Sequence, residues 1–133
     1  MAEREETALP IDKTAMPPYD VYNQACFSRM VLNRVADKWV VLILGRIDDE
    51  PVRFNQLWRE IQGISKKVLS QALKKSERDG LIHSQVFAVV PVTVEHSITP
   101  LGKTLAATIR GLARWAEANT EAVLETQRRY CAT

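Results

Sequence analysis

Cysteine and histidine are scarce in this chain of 133 residues, two of each, and the scarcity excludes much chemistry at once. Cys26 and Cys131 are too few and too far apart to suggest a disulfide framework or a zinc knuckle, which fits a reducing compartment. His83 and His96 belong to no HExxH motif, no Cys/His cluster and no nucleophile–base spacing. Beside a predicted β-hairpin they read as ordinary strand residues. The five glycines form no phosphate-cradling loop. No apolar run approaches the ~18 residues of a membrane span, and the start is too acidic for a signal peptide. The expectation is a cytoplasmic protein with no catalytic residues, no metal site, no cofactor and no membrane partner.

What is present is a hydrophobic content of 46%, enough in 133 residues for one globular domain. The net charge of +2 hides an asymmetry. Residues 1–20 carry Glu3, Glu5, Glu6, Asp12 and Asp20 against Arg4 and Lys13, so that stretch is −3 and the remainder +5. A polyanionic partner is permitted, although a local basic patch matters more than the whole-chain balance.

Residues 1–18, with three of the six prolines and no periodicity, are expected to form an arm outside the core. From Cys26 the pattern turns helical, with Phe27, Met30, Val31 and Val35 on one face. Asp37 is placed to cap a second helix, in which Trp39, Val40, Leu42, Ile43, Leu44 and Ile47 leave little polar surface, so this helix should be central. "DDEP" at residues 48–51 breaks it. "RFNQLWREI" then places Phe54, Leu57, Trp58 and Ile61 at helical spacing. A Gly63-Ile64-Ser65 turn leads into a helix that Ser65 can cap and Gly80 can end, which completes a helix-turn-helix. Beyond Gly80 the period shifts to two in "LIHSQVF" and "VTVEHSIT", a hairpin placed where a wing would be.

Thr99 caps and Pro100 opens a last helix predicted to reach about Gln127, roughly 42 Å long at 1.5 Å per residue. Along it Leu105, Ile109, Leu112, Ala116, Asn119 and Val123 recur at intervals of three and four, as in a helix–helix seam. Packing within one chain would produce the same stripe. So long a helix outreaches a small domain, however, and a homodimer seam is the favoured reading. The expected fold is mainly α with a small β-hairpin (α+β): a winged helix-turn-helix with a long C-terminal dimerisation helix. The expected divisions are an arm at 1–18, the domain at 19–127 and a tail at 128–133.

The helix after Ser65 has two unlike faces. Leu69, Ala72, Leu73 and Ser76 lie on one, and Lys67, Ser70, Gln71, Lys74 and Arg78 on the other. Over residues 66–79 its five cations outnumber its two anions, a net of +3. A solvated surface is the bland reading of such a face. In a helix-turn-helix the economical partner is double-stranded DNA. Lys67, Ser70 and Gln71, near the helix start, are then placed for base edges, with Ser65 and Lys66 beside them; Lys74, Lys75 and Arg53 suit phosphates.

Several blocks in order resemble the HxlR-type transcriptional regulators, winged-helix proteins related in fold to the MarR regulators. They are Cys26 ahead of the first helix, "DKWVVLIL" at 37–44, "RFNQL" at 53–57, "GISKKVLSQAL" at 63–73, "DGLI" at 79–82 and "VEHSITPLG" at 94–102. The resemblance implies a dimeric DNA-binding repressor or activator, and an oxidant or small-molecule effector as a further partner. It also implies a redox or electrophile sensor at the cysteine before the first helix. The sequence departs from the family pattern at Asp37, usually glycine, at Thr93, usually a wing arginine, and at His96, usually tyrosine. Without a cation in its "AVVPV" tip the wing should read DNA weakly, leaving more of the affinity to the recognition helix.

For Cys26 two readings stand side by side. A helix N-terminus and Arg29 would favour a thiolate suited to sensing, whereas packing against Phe27 would leave an inert buried thiol. Cys131 is the weaker sensor candidate. The alternative to a DNA-binding regulator is a winged-helix protein-interaction module without specific DNA binding, whose basic face meets an acidic protein. A small enzyme using Cys26 as nucleophile has no histidine nearby in sequence to serve as base.

Overall fold

The Asp37 carboxylate accepts hydrogen bonds from the backbone N–H groups of Trp39 (2.8 Å) and Val40 (3.3 Å) and so starts the central helix of the domain. The computed structural model describes residues 19–132, so the arm expected over 1–18 lies outside the described residues. The chain divides after Val35 into two compact units. The first contains helix α1 (Phe27–Val35); the second contains α2 (Lys38–Ile47), β1 (Val52–Arg53), α3 (Phe54–Glu60), α4 (Lys66–Arg78), β2 (Ile82–Phe87), β3 (Thr93–Ile98) and α5 (Pro100–Ala132). None of these helices is long and apolar enough to cross a membrane.

In the second unit Val40, Ile43, Leu44 and Ile47 of α2 are buried, joined by Leu57, Leu69, Leu73, Ile82 and Ala106 from the surrounding elements. The apolar helix is central because its neighbours each bury one stripe against it. Two pairings fix the frame around it. Arg46 donates to Glu60, which also accepts from Gln56 (3.2 Å), tying α2 to α3. Asp48, buried at the end of α2, accepts from Arg110 and lies 3.6 Å from Lys103 Nζ, tying α2 to α5.

The hairpin of β2 and β3 forms as expected, and a third strand that periodicity does not reveal joins it. Strand β1 pairs antiparallel with β3, Val52 opposite His96 and Arg53 opposite Glu95, giving the order β1-β3-β2. Two residues are too few for alternation to be visible in sequence. Trp58, expected on the buried face of α3, is 38% exposed. Its indole N–H donates to the Ile64 carbonyl at 3.1 Å, so the ring braces the turn between α3 and α4 instead of entering the core.

Helix α5 reaches Ala132 and does not stop near Gln127, because Glu125 pairs with Arg128 (2.8 Å) and Arg129 (3.3 Å) and supports the last turns. Cys131 is accordingly helical. The predicted seam is split by the tertiary structure. Ile109 is buried in its own chain's core with Ala106, and Leu105 is half-buried, which corrects the assignment of Ile109 to a partner interface. Leu112, Ala116 and Val123 are exposed and Asn119 is half-buried.

His96 is 5% exposed, and burial, partly opposed by Glu77, holds its imidazole below the ordinary 6.5. Above that pH neither folded nor unfolded chain carries the proton. Below it the unfolded chain takes the proton more readily, so stability falls as pH drops from about 6.5 towards the folded value. His96→Phe is expected to flatten this slope in urea midpoints measured between about pH 7 and 5. An unchanged slope would assign the acid sensitivity elsewhere. Glu60, held below its ordinary 4.5 first by its hydrogen bond from Arg46, stabilises above that pH and loses its contribution at lower pH, in a separate window.

Candidate nucleic-acid interface

Ser65 builds the start of α4: its Oγ accepts from Val68 N at 3.1 Å and its carbonyl from Leu69 N at 2.9 Å. At the other end Gly80 adopts φ +81°, which only glycine takes without strain, and Leu81 N closes the helix on the Ser76 carbonyl at 2.9 Å. Between these caps Leu69, Ala72, Leu73 and Ser76 are buried, and the opposite face stands in solvent. Lys67, Gln71 and Lys74 follow one another outward at i, i+4 and i+7, with Lys75 beside them; Ser70 is half-buried at the edge of the face.

The other assigned residues are placed differently. Lys66 is exposed, but its Nζ lies 4.6 Å from the centroid of the Trp58 ring, a cation–π contact that gives the amine a fixed address over α3. Nothing in the spacing of Trp58 and Lys66 announced this, since the two lie on different helices. Arg53 is exposed where β1 runs into α3. The wing tip is apolar and exposed at Val89, Val90 and Val92, and it carries no cation.

What this face can do chemically is bounded by its side chains. Lysine ammonium groups donate to phosphate oxygens or to guanine O6 and N7, and the Gln71 amide can donate to and accept from adenine. No reactive group lies among them. Among the described residues no group of three or more histidine, cysteine or acidic side chains could hold a metal ion.

Cys26 belongs to the first unit, immediately before α1. It is partly exposed, not packed away against Phe27, which is itself 73% exposed. The Ser28 hydroxyl (3.3 Å) and then the Asp20 backbone N–H (3.4 Å) donate to its sulfur and hold the thiol below its ordinary 9.0. These donors, and not Arg29, are its partners: Arg29 reaches the Val21 carbonyl at 3.4 Å. Since the thiolate is the reacting form, Cys26 is expected to be alkylated by iodoacetamide faster near pH 7 in the folded chain than in urea. Peptide mass spectrometry over a time course measures this, and an equal or slower folded rate would show that the hydrogen bonds from Ser28 and Asp20 do not activate the sulfur.

Comparison with known proteins bears on this geometry. The family model describing HxlR-like helix-turn-helix proteins matches residues 34–123. The HTH-type transcriptional regulator YtfH of Escherichia coli K12 is 40% identical over 105 residues, 79% of this chain and 83% of that protein. The structure of the transcriptional regulator YtfH from Salmonella typhimurium superposes with a TM-score of 0.79 at 38% identity, covering 84% of this chain and 99% of that one. The redox regulator HypR in its oxidised form superposes with a TM-score of 0.66 at 31% identity, covering 71% and 97%.

Proposed function

The chain belongs to the HxlR-like helix-turn-helix family of transcriptional regulators, which are not enzymes, and from that premise we propose a dimeric, sequence-specific repressor working on DNA in the cytoplasm. The observation that carries this reading is α4: one face buried to its last side chain, the other offering Lys67, Gln71, Lys74 and Lys75 to solvent. Lys67, Ser70 and Gln71 read base edges, with Ser65 fixing the helix start and Lys66 beside it. Lys74, Lys75 and Arg53 hold phosphates. Footprinting on the DNA beside its own gene tests this. Gln71→Ala should cost about 1–3 kcal/mol at chiefly one base pair, and Lys74→Ala should weaken operator and random DNA alike. Equal losses on both DNAs for Gln71→Ala would remove its reading role.

Two such domains on one face of DNA require a dimer, and the outer part of α5 supplies the surface. Leu112 and Trp115 are 58% and 59% exposed, and a groove of about 360 Å³ runs along Trp115, Asn119, Ala122, Val123, Thr126 and Gln127. An apolar stripe of this length left wet is costly, and a second copy with the same stripe covers it. The operator should then be a pseudo-palindrome with half-sites about 34 Å apart. Leu112→Glu combined with Val123→Glu is expected to give monomers in sedimentation equilibrium at micromolar concentration and to lower operator affinity by roughly 100-fold or more, since the second half-site is no longer tethered. A double variant that remains dimeric would place the interface elsewhere.

Cys26, partly exposed and accepting from Ser28 and Asp20, is the proposed redox or electrophile sensor. Mild diamide is expected to lower DNA affinity of the wild type and leave Cys26→Ser unaffected. Loss in both would move the chemistry to Cys131.

A further inference from the structure

The indole of Trp58 is held in place from two directions. Its N–H donates to the carbonyl of the buried Ile64 at 3.1 Å, and the helix that carries it is anchored by the buried Leu57 and Ile61. The ring is 38% exposed, so a fixed aromatic surface stands open beside the turn into α4. The Lys66 ammonium lies 4.6 Å from its centroid. We infer that Trp58 is the positioning residue of the DNA interface: its ring holds the Lys66 ammonium at the junction of α3 and α4 as a phosphate contact, apart from the row that faces base edges. This assignment rests on the reading of α4 given above.

Lys66 stands about 100° around α4 from Lys67, on the flank of the buried Leu69 and Leu73, whereas Lys67, Gln71 and Lys74 share the outer row. Its ammonium turns back over α3. In a helix-turn-helix the helix before the recognition helix crosses the sugar-phosphate backbone, so a charge held over α3 meets phosphates and not base edges. A lysine suits that task as a point charge, since a ring on one side still leaves N–H donors for an oxygen on the other. Lys66 also needs the ring. It opens α4, where the helix dipole disfavours a cation, Lys67 follows directly, and the first turn holds no acidic residue. The negative face of the indole offsets these repulsions and confines a long, flexible side chain before DNA arrives. The indole N–H is already engaged by Ile64, so Trp58 acts on DNA through Lys66 and not through a donor of its own.

Fluorescence titrations of labelled DNA with wild type, Trp58→Leu, Lys66→Met and the double variant form a double-mutant cycle, each protein first checked by thermal unfolding. Trp58→Leu is expected to lower affinity by about two- to fivefold per subunit, or roughly tenfold for a dimer, equally on operator and random DNA. Lys66→Met should lower the salt slope by about one per subunit, and in its background Trp58→Leu should cost nothing further. A Trp58 that only supported the fold would lower affinity in both backgrounds alike, and that result overturns the inference. So does an unchanged salt slope in Lys66→Met. Should Trp58→Leu not fold, nuclear magnetic resonance of the wild type decides. The Lys66 ε-protons should be displaced upfield by the ring current in the free protein and stay displaced on the operator. A lysine that leaves the ring when DNA binds, or never shows the displacement, refutes the positioning role. A wild type that binds no DNA would refute the reading of α4 and the positioning role with it, whereas DNA binding without coupling between Trp58 and Lys66 refutes the positioning role alone.

Discussion

Gly102→Ala is expected to destabilise the second unit by about 3 kcal/mol, the upper end of overpacking costs, and to lower its melting temperature by roughly 15 °C. A Cβ on Gly102 would stand 2.2 Å from the Leu81 carbonyl oxygen and 2.7 Å from Ile98 Cγ1. The first of these neighbours is backbone and cannot turn aside. Nor can α5 easily retreat. Thr99 Oγ1 accepts from Gly102 N at 3.0 Å and lies 3.0 Å from the Leu81 carbonyl, to which Thr99 N also donates at 3.1 Å. The helix start is thus clamped to the residue that the new methyl would strike. Gly45→Ala is the matched control, because Gly45 is helical in α2 and a Cβ there would meet nothing within 4 Å; it should stabilise by about 0.5–1 kcal/mol through helix propensity alone. Thermal unfolding followed by circular dichroism measures both. A Gly102→Ala variant melting within a degree or two of the wild type would mean that the clamp yields.

Operator affinity is expected to collapse with salt. If each subunit of a dimer neutralises about four phosphates through Arg53, the lysines of α4 and neighbouring groups, log affinity should fall with log salt at a slope near −7, or roughly four orders of magnitude between 50 and 200 mM. The wing is expected to contribute little to that slope, because residues 88–92 at its tip carry no charge. Lys74→Ala should reduce the steepness by about one per subunit contact removed, while Gln71→Ala leaves it unchanged. Titrations of labelled operator at four salt concentrations are sufficient. A slope shallower than about −2 would exclude the basic face of α4 as the main DNA contact.

The local signals in the sequence carried far. Asp37, Ser65 and Thr99 each cap the helix expected of them, since a cap depends on residues two or three positions away. The two faces of α4 and the alternation of β2 and β3 are likewise short-range patterns, and with them came the winged helix-turn-helix.

Decisions needing a distant partner were left to the tertiary structure. The pair Val52–Arg53 becomes a strand only because β3, more than forty residues later, offers an edge. Ile109 and Leu112 belong to one periodic stripe, yet Ile109 is buried and Leu112 exposed, because the chain's own core ends between them. Lys66 finds Trp58, and Cys26 finds the Asp20 N–H, through turns whose course no periodicity records. His96 looked like one more strand residue. Its burial comes from strands paired across the sheet, with the Ser84 hydroxyl reaching only one of its two nitrogens. Periodicity tells which side of an element is apolar; what lies opposite that side, and which polar atoms are sealed without a partner, depends on packing between residues far apart in the chain.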